Sequence, residues 1–254
     1  MIFAIDVGNT HLVAGCMEEA GARKTGRFAT DTKCTAEEYA IKFRIWLELV
    51  GIAPEEIDGA IICTVVPPLA TTLMSSIRIL FGIEAMVVGP GLKTGLNIKI
   101  DNPAQLGADM VAGAVASIER YPLPQVVFDL GTATTASVID RNGVFRGCLI
   151  MAGVRTALST LVENTSQLPM ISLSGLKHTV GTNSVDSMRA GSVLGAAAMM
   201  DGIAERIEEE LGEKAVLVAT GGLSSYILPH CKRDFIRDDD LVLRGLWQIY
   251  QKNS

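Results

Sequence analysis

A chain of 254 residues, 48% hydrophobic and 20% charged with a formal net charge of −6, is long enough for one large domain or two of ordinary size, each with a full core. The acidic balance leaves no electrostatic case for nucleic acid, so an anionic ligand has to be met by local donors. Five scattered cysteines, Cys16, Cys34, Cys63, Cys148 and Cys231, never spaced C-x-x-C, fit a reducing cytoplasm and speak against a disulfide framework or zinc; they read as small core or surface residues.

The chain opens on Ile2-Phe3-Ala4-Ile5-Asp6-Val7-Gly8-Asn9-Thr10-His11-Leu12-Val13-Ala14-Gly15. An apolar strand delivers an Asp, a Gly opens a donor-rich turn, and a second strand follows. No basic stretch precedes that first apolar run, so it reads as a core strand and not a signal peptide. Of the three histidines, His11, His178 and His230, none shows metal spacing, and only His11, inside the turn, has a functional address. A third strand is expected over 24–30. Thr35-Ala36-Glu37-Glu38 then carries a capping-box pattern, and Tyr39, Phe43, Trp46, Leu47 and Val50 give the following helix a buried stripe.

A strand over 59–64 leads to Pro67-Pro68, placed in the first turn of a helix reaching about residue 80. After a strand at 84–88, Gly89-Pro90-Gly91-Leu92-Lys93-Thr94-Gly95 fails as a dinucleotide fingerprint because Thr94 stands where a third Gly is needed. No P-loop pattern occurs anywhere. Asp101-Asn102-Pro103 is expected to start a helix that runs on through 106–115, where Asp109 is the lone ionisable group in a Gly- and Ala-rich stretch. Such a stretch invites close approach of another element or a ligand; a solvent-facing Asp favoured by the helix dipole is the plain alternative.

The opening grammar returns in Val126-Val127-Phe128-Asp129-Leu130-Gly131-Thr132-Ala133-Thr134-Thr135. Gly131 leaves the backbone open to a bulky anion, Thr132, Thr134 and Thr135 offer hydroxyl and amide donors, and Asp129 offers a hard oxygen ligand for a cation. An ordinary Thr-rich hairpin accounts for one such turn. It does not account for two whose Asp residues stand 123 positions apart, which points to two similar halves. Arg141-Asn142-Gly143 is a strong hairpin turn, followed by a strand over 144–151 and a helix over 154–163. Thr182-Asn183-Ser184 caps a long helix to about residue 211, interrupted near Gly195 or Gly202, whose longest apolar run, 193–200, is too short to cross a membrane. A strand over 215–219 ends in Thr220-Gly221-Gly222, flat backbone suited to an adenine or ribose, and a last helix covers 241–250.

Two Asp-x-Gly hairpins and a late Gly-Gly turn resemble the actin-like ATPase superfold, in which ATP lies in a cleft between the halves. More closely, the chain resembles the type III pantothenate kinases along nearly its whole length. The resemblance rests on Asp6-Val7-Gly8-Asn9-Thr10, Val65-Val66-Pro67-Pro68-Leu69, Lys93-Thr94-Gly95-Leu96, Asp101-Asn102-Pro103, Gly107-Ala108-Asp109, the segment 129–135, Gly181-Thr182-Asn183-Ser184 and Ala219-Thr220-Gly221-Gly222. It implies an α/β fold of two duplicated actin-like (ribonuclease H-like) halves, 1–116 and 117–254, with the last helix packing back on the first. It also implies transfer of the ATP γ-phosphoryl group to pantothenate, the first step towards coenzyme A, in a cytoplasmic homodimer without nucleic-acid or membrane partners.

Carried over by position, Asp6, Val7, Gly8, Asn9, Thr10, His11, Leu12, Val13 and Thr132 hold the nucleotide phosphates, with Gly221 and Gly222 completing the nucleotide site. Asp109 is the general base, Asp129 binds a monovalent cation (K⁺ or NH₄⁺), and Mg²⁺ rides on the ATP. Ile100, Gly107, Ala108, Asp109, Met110 and Ser184 map to the substrate site. This chain departs from the pattern there: Ile100 replaces a usual Tyr, Met110 a usual Arg, and Gly113 a usual Asn, while Met151-Ala152-Gly153 replaces a Pro-Gly turn and Ser184 a Thr that keeps the hydroxyl. Two other readings therefore stand beside a working pantothenate kinase: a catalytically degenerate nucleotide-binding paralogue with a regulatory role, and a kinase for another small hydroxylated metabolite.

Overall fold

The computed structural model describes residues 1–254. The first elements are β1 (Ile2–Val7), β2 (His11–Glu18), β3 (Gly21–Ala29), α1 (Ala36–Val50), β4 (Gly59–Thr64), α2 (Pro67–Phe81), β5 (Ala85–Val87), β6 (Asn97–Ile98) and α3 (Ala108–Arg120). Then come β7 (Gln125–Leu130), β8 (Ala133–Ile139), β9 (Val144–Ala152), α4 (Val154–Glu163), α5 (Ser184–Leu211), β10 (Val216–Thr220), α6 (Ser224–Ile227), β11 (Ile236–Arg237) and α7 (Leu241–Gln251). They form two compact units. The first comprises Met1–Leu96, Asp101–Glu119 and Asp240–Ser254, and the second Asn97–Ile100 and Arg120–Asp239. The C-terminal helix α7 thus belongs to the first unit, and the short stretch carrying β6 to the second. No helix is long and apolar enough to cross a membrane.

The sheet of the first unit has the order β3-β2-β1-β4-β5, antiparallel from β3 to β1 and parallel from β1 to β5. Alternation along the strands sorts its two faces. Phe3, Ile5 and Val7 of β1 join Leu12, Ala14, Ile62 and the buried faces of α1 and α2 in one core. The intervening residues, Ala4 and Asp6 among them, turn to the other face, against which α7 packs. Helix α1 begins where its capping box is formed: the Glu38 amide donates to Thr35 Oγ1 at 3.3 Å, and the Thr35 amide donates to Glu38 Oε2 at 2.7 Å. Of its expected stripe, Tyr39, Phe43 and Leu47 are fully buried, while Trp46 and Val50 are partly covered at the edge of the core. Helices α3 and α7 approach so closely that a Cβ on Gly245 would collide with the Ala112 backbone.

The sheet of the second unit has the order β11-β10-β7-β8-β9-β6. Leaving out the two-residue β6, it repeats the first topology, with an antiparallel three-strand meander followed by parallel strands. Val126, Phe128 and Leu130 of β7 face the core with Leu217 and Ala219 of β10 and the α4 and α5 side chains. Three expectations need correction. Residues 101–107 are not helical as a run: Pro103–Gln105 forms one tight 3₁₀ turn capped by the Asn102 side chain, and α3 starts only at Ala108. Helix α5 is uninterrupted over 28 residues, Gly195 and Gly202 included. Strands β6 and β11, two residues each, have no counterpart in the sequence reading.

Candidate active site

In the first unit, Asp6 stands at the end of β1, where the chain turns over Gly8-Asn9-Thr10 into β2. The turn is closed by the Gly8 amide donating to the His11 carbonyl at 3.0 Å. It is braced from β3 by the Thr30 hydroxyl donating to the Gly8 carbonyl at 2.7 Å. Asn9 and Thr10 are exposed, Leu12 is buried in the core, and Arg27 reaches His11 Nδ1 at 3.1 Å. A short exposed turn at a strand end suits a phosphate chain.

Asp109 lies in the first turn of α3, where the helix dipole favours an anion. The Met110 amide donates to its Oδ1 at 2.8 Å. Burial nonetheless pushes its carboxyl above the usual value of 3.8, against the lowering effect of the Met110 and Asp109 amides. Gly107 makes room for that carboxylate, because a Cβ at 107 would collide with Asp109 Oδ1. Asp6 and Asp109, 103 positions apart in the chain, both act electrostatically on the Cys63 thiol near the end of β4. Cys63, expected as a small core or surface residue, is fully buried, and the strand register sets it opposite Asp6, which nothing in its spacing marks.

In the second unit, Asp129 ends β7 as Asp6 ends β1. Its neighbour across the parallel pair is Thr220, and across the antiparallel pair Thr135, so all three share the face away from the α4–α5 core. Gly221 has φ of +90°, open to glycine alone, and a Cβ there would lie 2.6 Å from the Leu130 amide nitrogen and against Asp129 Oδ1. Asp129 is thereby packed beside the Gly221-Gly222 turn. Thr132 is exposed, and its carbonyl accepts from the Gly153 amide at 3.1 Å and the Thr156 hydroxyl at 2.7 Å, tying the turn to the start of α4. Thr134, expected as a phosphate donor, instead points into the core; it is 1% exposed and its hydroxyl has no partner. No group of three or more His, Cys, Asp or Glu side chains that could hold a metal ion is present.

Ser184 is the exposed first residue of α5 in the second unit. Met110 and Ile100 are half-buried, the former in the first unit and the latter in the second. Arg189 is already engaged, donating to Asp186 at 2.7 Å and to the Ser172 carbonyl at 3.0 Å.

The duplicated mixed sheet, with an Asp-ended first strand in each half, is the fold of actin-like ATPases and sugar kinases. Among solved structures it is similar to component A of (R)-2-hydroxyglutaryl-CoA dehydratase from Acidaminococcus fermentans, with a TM-score of 0.56, 14% identity and coverage of 98% of this chain and 97% of that one. The activator of 2-hydroxyisocaproyl-CoA dehydratase from Clostridium difficile, solved with bound ADPNP, aligns with a TM-score of 0.52, 12% identity and coverage of 98% and 93%. A Baf-family protein from Campylobacter jejuni aligns with a TM-score of 0.60, 19% identity and coverage of 99% and 98%. Within this class the sequence is more specific: residues 2–206 match the family described as type III pantothenate kinase. The chain is 38% identical over 253 residues, covering 100% of both chains, to the type III pantothenate kinase of Halalkalibacterium halodurans. The chain belongs to the type III pantothenate kinase family.

Proposed function

We propose that this protein phosphorylates the primary hydroxyl of pantothenate with MgATP in the first step of coenzyme A synthesis. The observation that carries the reading is the half-buried, proton-avid carboxylate of Asp109 in the first turn of α3, in a chain of the type III pantothenate kinase family. Phosphoryl transfer needs positioning and charge neutralisation more than covalent help. Asp109 takes the hydroxyl proton as the new O–P bond forms and the bond from the γ-phosphorus to the ADP oxygen breaks. Residues 6–13 with Thr132, Gly221 and Gly222 bind the nucleotide, an assignment supported by the open turn at Gly8 and the glycine-only backbone at Gly221. Mg²⁺ neutralises the phosphate charge. Asp129, in strand register with Thr220 and Thr135, holds K⁺ or NH₄⁺, so activity is expected to be high in those salts and low in sodium.

The acceptor site comprises Ile100, Gly107, Ala108, Asp109, Met110 and Ser184. Ile100 and Met110 give it no hydroxyl and no cation, and this favours a second reading: a kinase for a small hydroxylated metabolite without a carboxylate. The protein works in the cytoplasm as a homodimer. An apolar groove of about 540 Å³ between α4 and α5, walled by Val154, Leu158, Leu161, Met188 and Met199 and floored by Gly191 and Gly195, supports a helix-packed two-fold interface. ADP release with pantothenate against a panel of primary alcohols tests the activity. Turnover restricted to pantothenate upholds the first reading, preference for an uncharged alcohol the second, and none with any acceptor leaves a nucleotide-binding paralogue.

A further inference from the structure

We propose that Cys63 is a positioning residue: its buried thiol donates a hydrogen bond that orients the Asp6 carboxylate. The inference rests on the reading of Asp6 and Asp109 as nucleotide-binding and catalytic groups. Its geometry comes from the parallel register of β1 and β4, which sets Cys63 directly beside Asp6. Ile62 next to it points into the α1–α2 core, so alternation turns Cys63 to the same face as Asp6. The side chain is fully buried, and its thiol hydrogen-bonds the Asp6 carboxylate while sensing Asp109.

Burial first, and then the two carboxylates, push the thiol well above its ordinary value of 9.0, so the sulfur keeps its proton and stays a donor. A hydroxyl would be the stronger donor. The thiol leaves more of the Asp6 charge available to the ligand.

The second unit supplies an internal repeat of the arrangement. Asp129 at the end of β7 is in register with Thr220 at the end of β10, and Thr220 is 4% exposed with one donor on a short side chain. Neighbouring Ala219 faces the α4–α5 core, as Ile62 faces the α1–α2 core. The two halves thus set their strand-end Asp in register with a short donor on the neighbouring parallel strand, Cys63 in one and Thr220 in the other. Filling a core gap would require only a small apolar side chain at either place.

The test compares Cys63→Ser, Cys63→Ala and Cys63→Val with wild type in three measurements: thermal midpoint, calorimetric affinity for a Mg²⁺-loaded non-hydrolysable ATP analogue without acceptor, and kcat and KM for ATP. Ser keeps the donor and is expected within about threefold of wild type in both affinity and turnover. Ala and Val lack it and are expected to lose about tenfold in analogue affinity and at least as much in kcat/KM, the scale of one hydrogen bond to a charged group. Val leaves no cavity, so an affinity loss shared by Ala and Val reads the donor even where Ala lowers the thermal midpoint. Analogue affinity unchanged in Val, or Ser as impaired as Val, overturns the inference alone. A wild-type chain that binds no nucleotide overturns the functional reading and this inference together.

Discussion

Asp109 carries its charge against its surroundings. Burial raises its proton affinity, and the folded carboxyl titrates above the unfolded one. A group shifted in that direction favours the fold while protonated and opposes it once ionised, so at neutral pH the ionised Asp109 opposes the fold. Asp109→Asn is therefore expected to lower kcat by orders of magnitude, to leave ATP-analogue affinity within a few-fold, and to raise the melting temperature at pH 7. The stability gain should vanish as pH falls towards 3.8, where wild type protonates as well; kcat measurements with melting curves at both pH values check the pair. Thr134 presents a simpler case, a core hydroxyl with no partner, whose isolation costs about 1–3 kcal/mol. Thr134→Val removes the polar atom and keeps the shape. Urea unfolding should show stability higher by about 1 kcal/mol at an unchanged m-value.

Among the elements, α5 is held at its C-terminal end by a buried carboxylate. Burial alone would raise the Glu208 carboxyl, but Arg233 at 2.6 Å, Lys214 at 2.7 Å and the Ala215 amide at 3.1 Å outweigh it and hold the group down at about 2. A depressed carboxyl stabilises the fold above its unfolded value of 4.5 and loses that contribution as pH falls towards 2. A shift of that size corresponds to about 3 kcal/mol. Glu208→Gln should thus melt well below wild type at pH 7 and approach it near pH 2–3, as circular dichroism at both pH values would show. The strength of this anchor also bears on what the sequence made legible. Helix α4 and the α1 capping box were readable because their signals are local, whereas α5 was expected to break at Gly195 or Gly202. Each interior glycine costs about 1 kcal/mol in helix propensity, and packing of Val193, Ala197, Met200 and Ala204 into the core overrides it. The reverse happened at 101–107: Asn102 and Pro103 do start a turn, but its 3₁₀ geometry ends at once and α3 begins anew at Ala108. Strands β6 and β11 are two residues long and exist only through pairing with β9 and β10, which no local pattern encodes. Cys63 was hidden for the same reason, since register between β1 and β4 is a long-range property.

For the whole molecule, the motifs assigned to the nucleotide occur in both halves while two positions assigned to the acceptor, Ile100 and Met110, carry no polar group, and this difference sets the expected binding. Pantothenate presents a carboxylate, and beside the base this chain offers Met110, with neither donor nor charge. Of Lys99, Arg155 and Arg189, the last is held by Asp186 and the Ser172 carbonyl, which leaves the exposed Lys99 and Arg155 as candidates to compensate. A hydrogen bond to a charged group contributes about 1.5–3 kcal/mol, equivalent to roughly 10- to 100-fold in a dissociation constant. Pantothenate is accordingly expected to bind weakly to wild type saturated with an ATP analogue, about 10- to 100-fold tighter to Met110→Arg, and tighter again to the Ile100→Tyr, Met110→Arg double variant. Calorimetric titration of the three proteins measures the series directly. Tight wild-type binding that neither substitution improves would contradict it and identify Lys99 or Arg155 as the cation that meets the carboxylate, which Lys99→Ala and Arg155→Ala would then resolve by the one that abolishes binding.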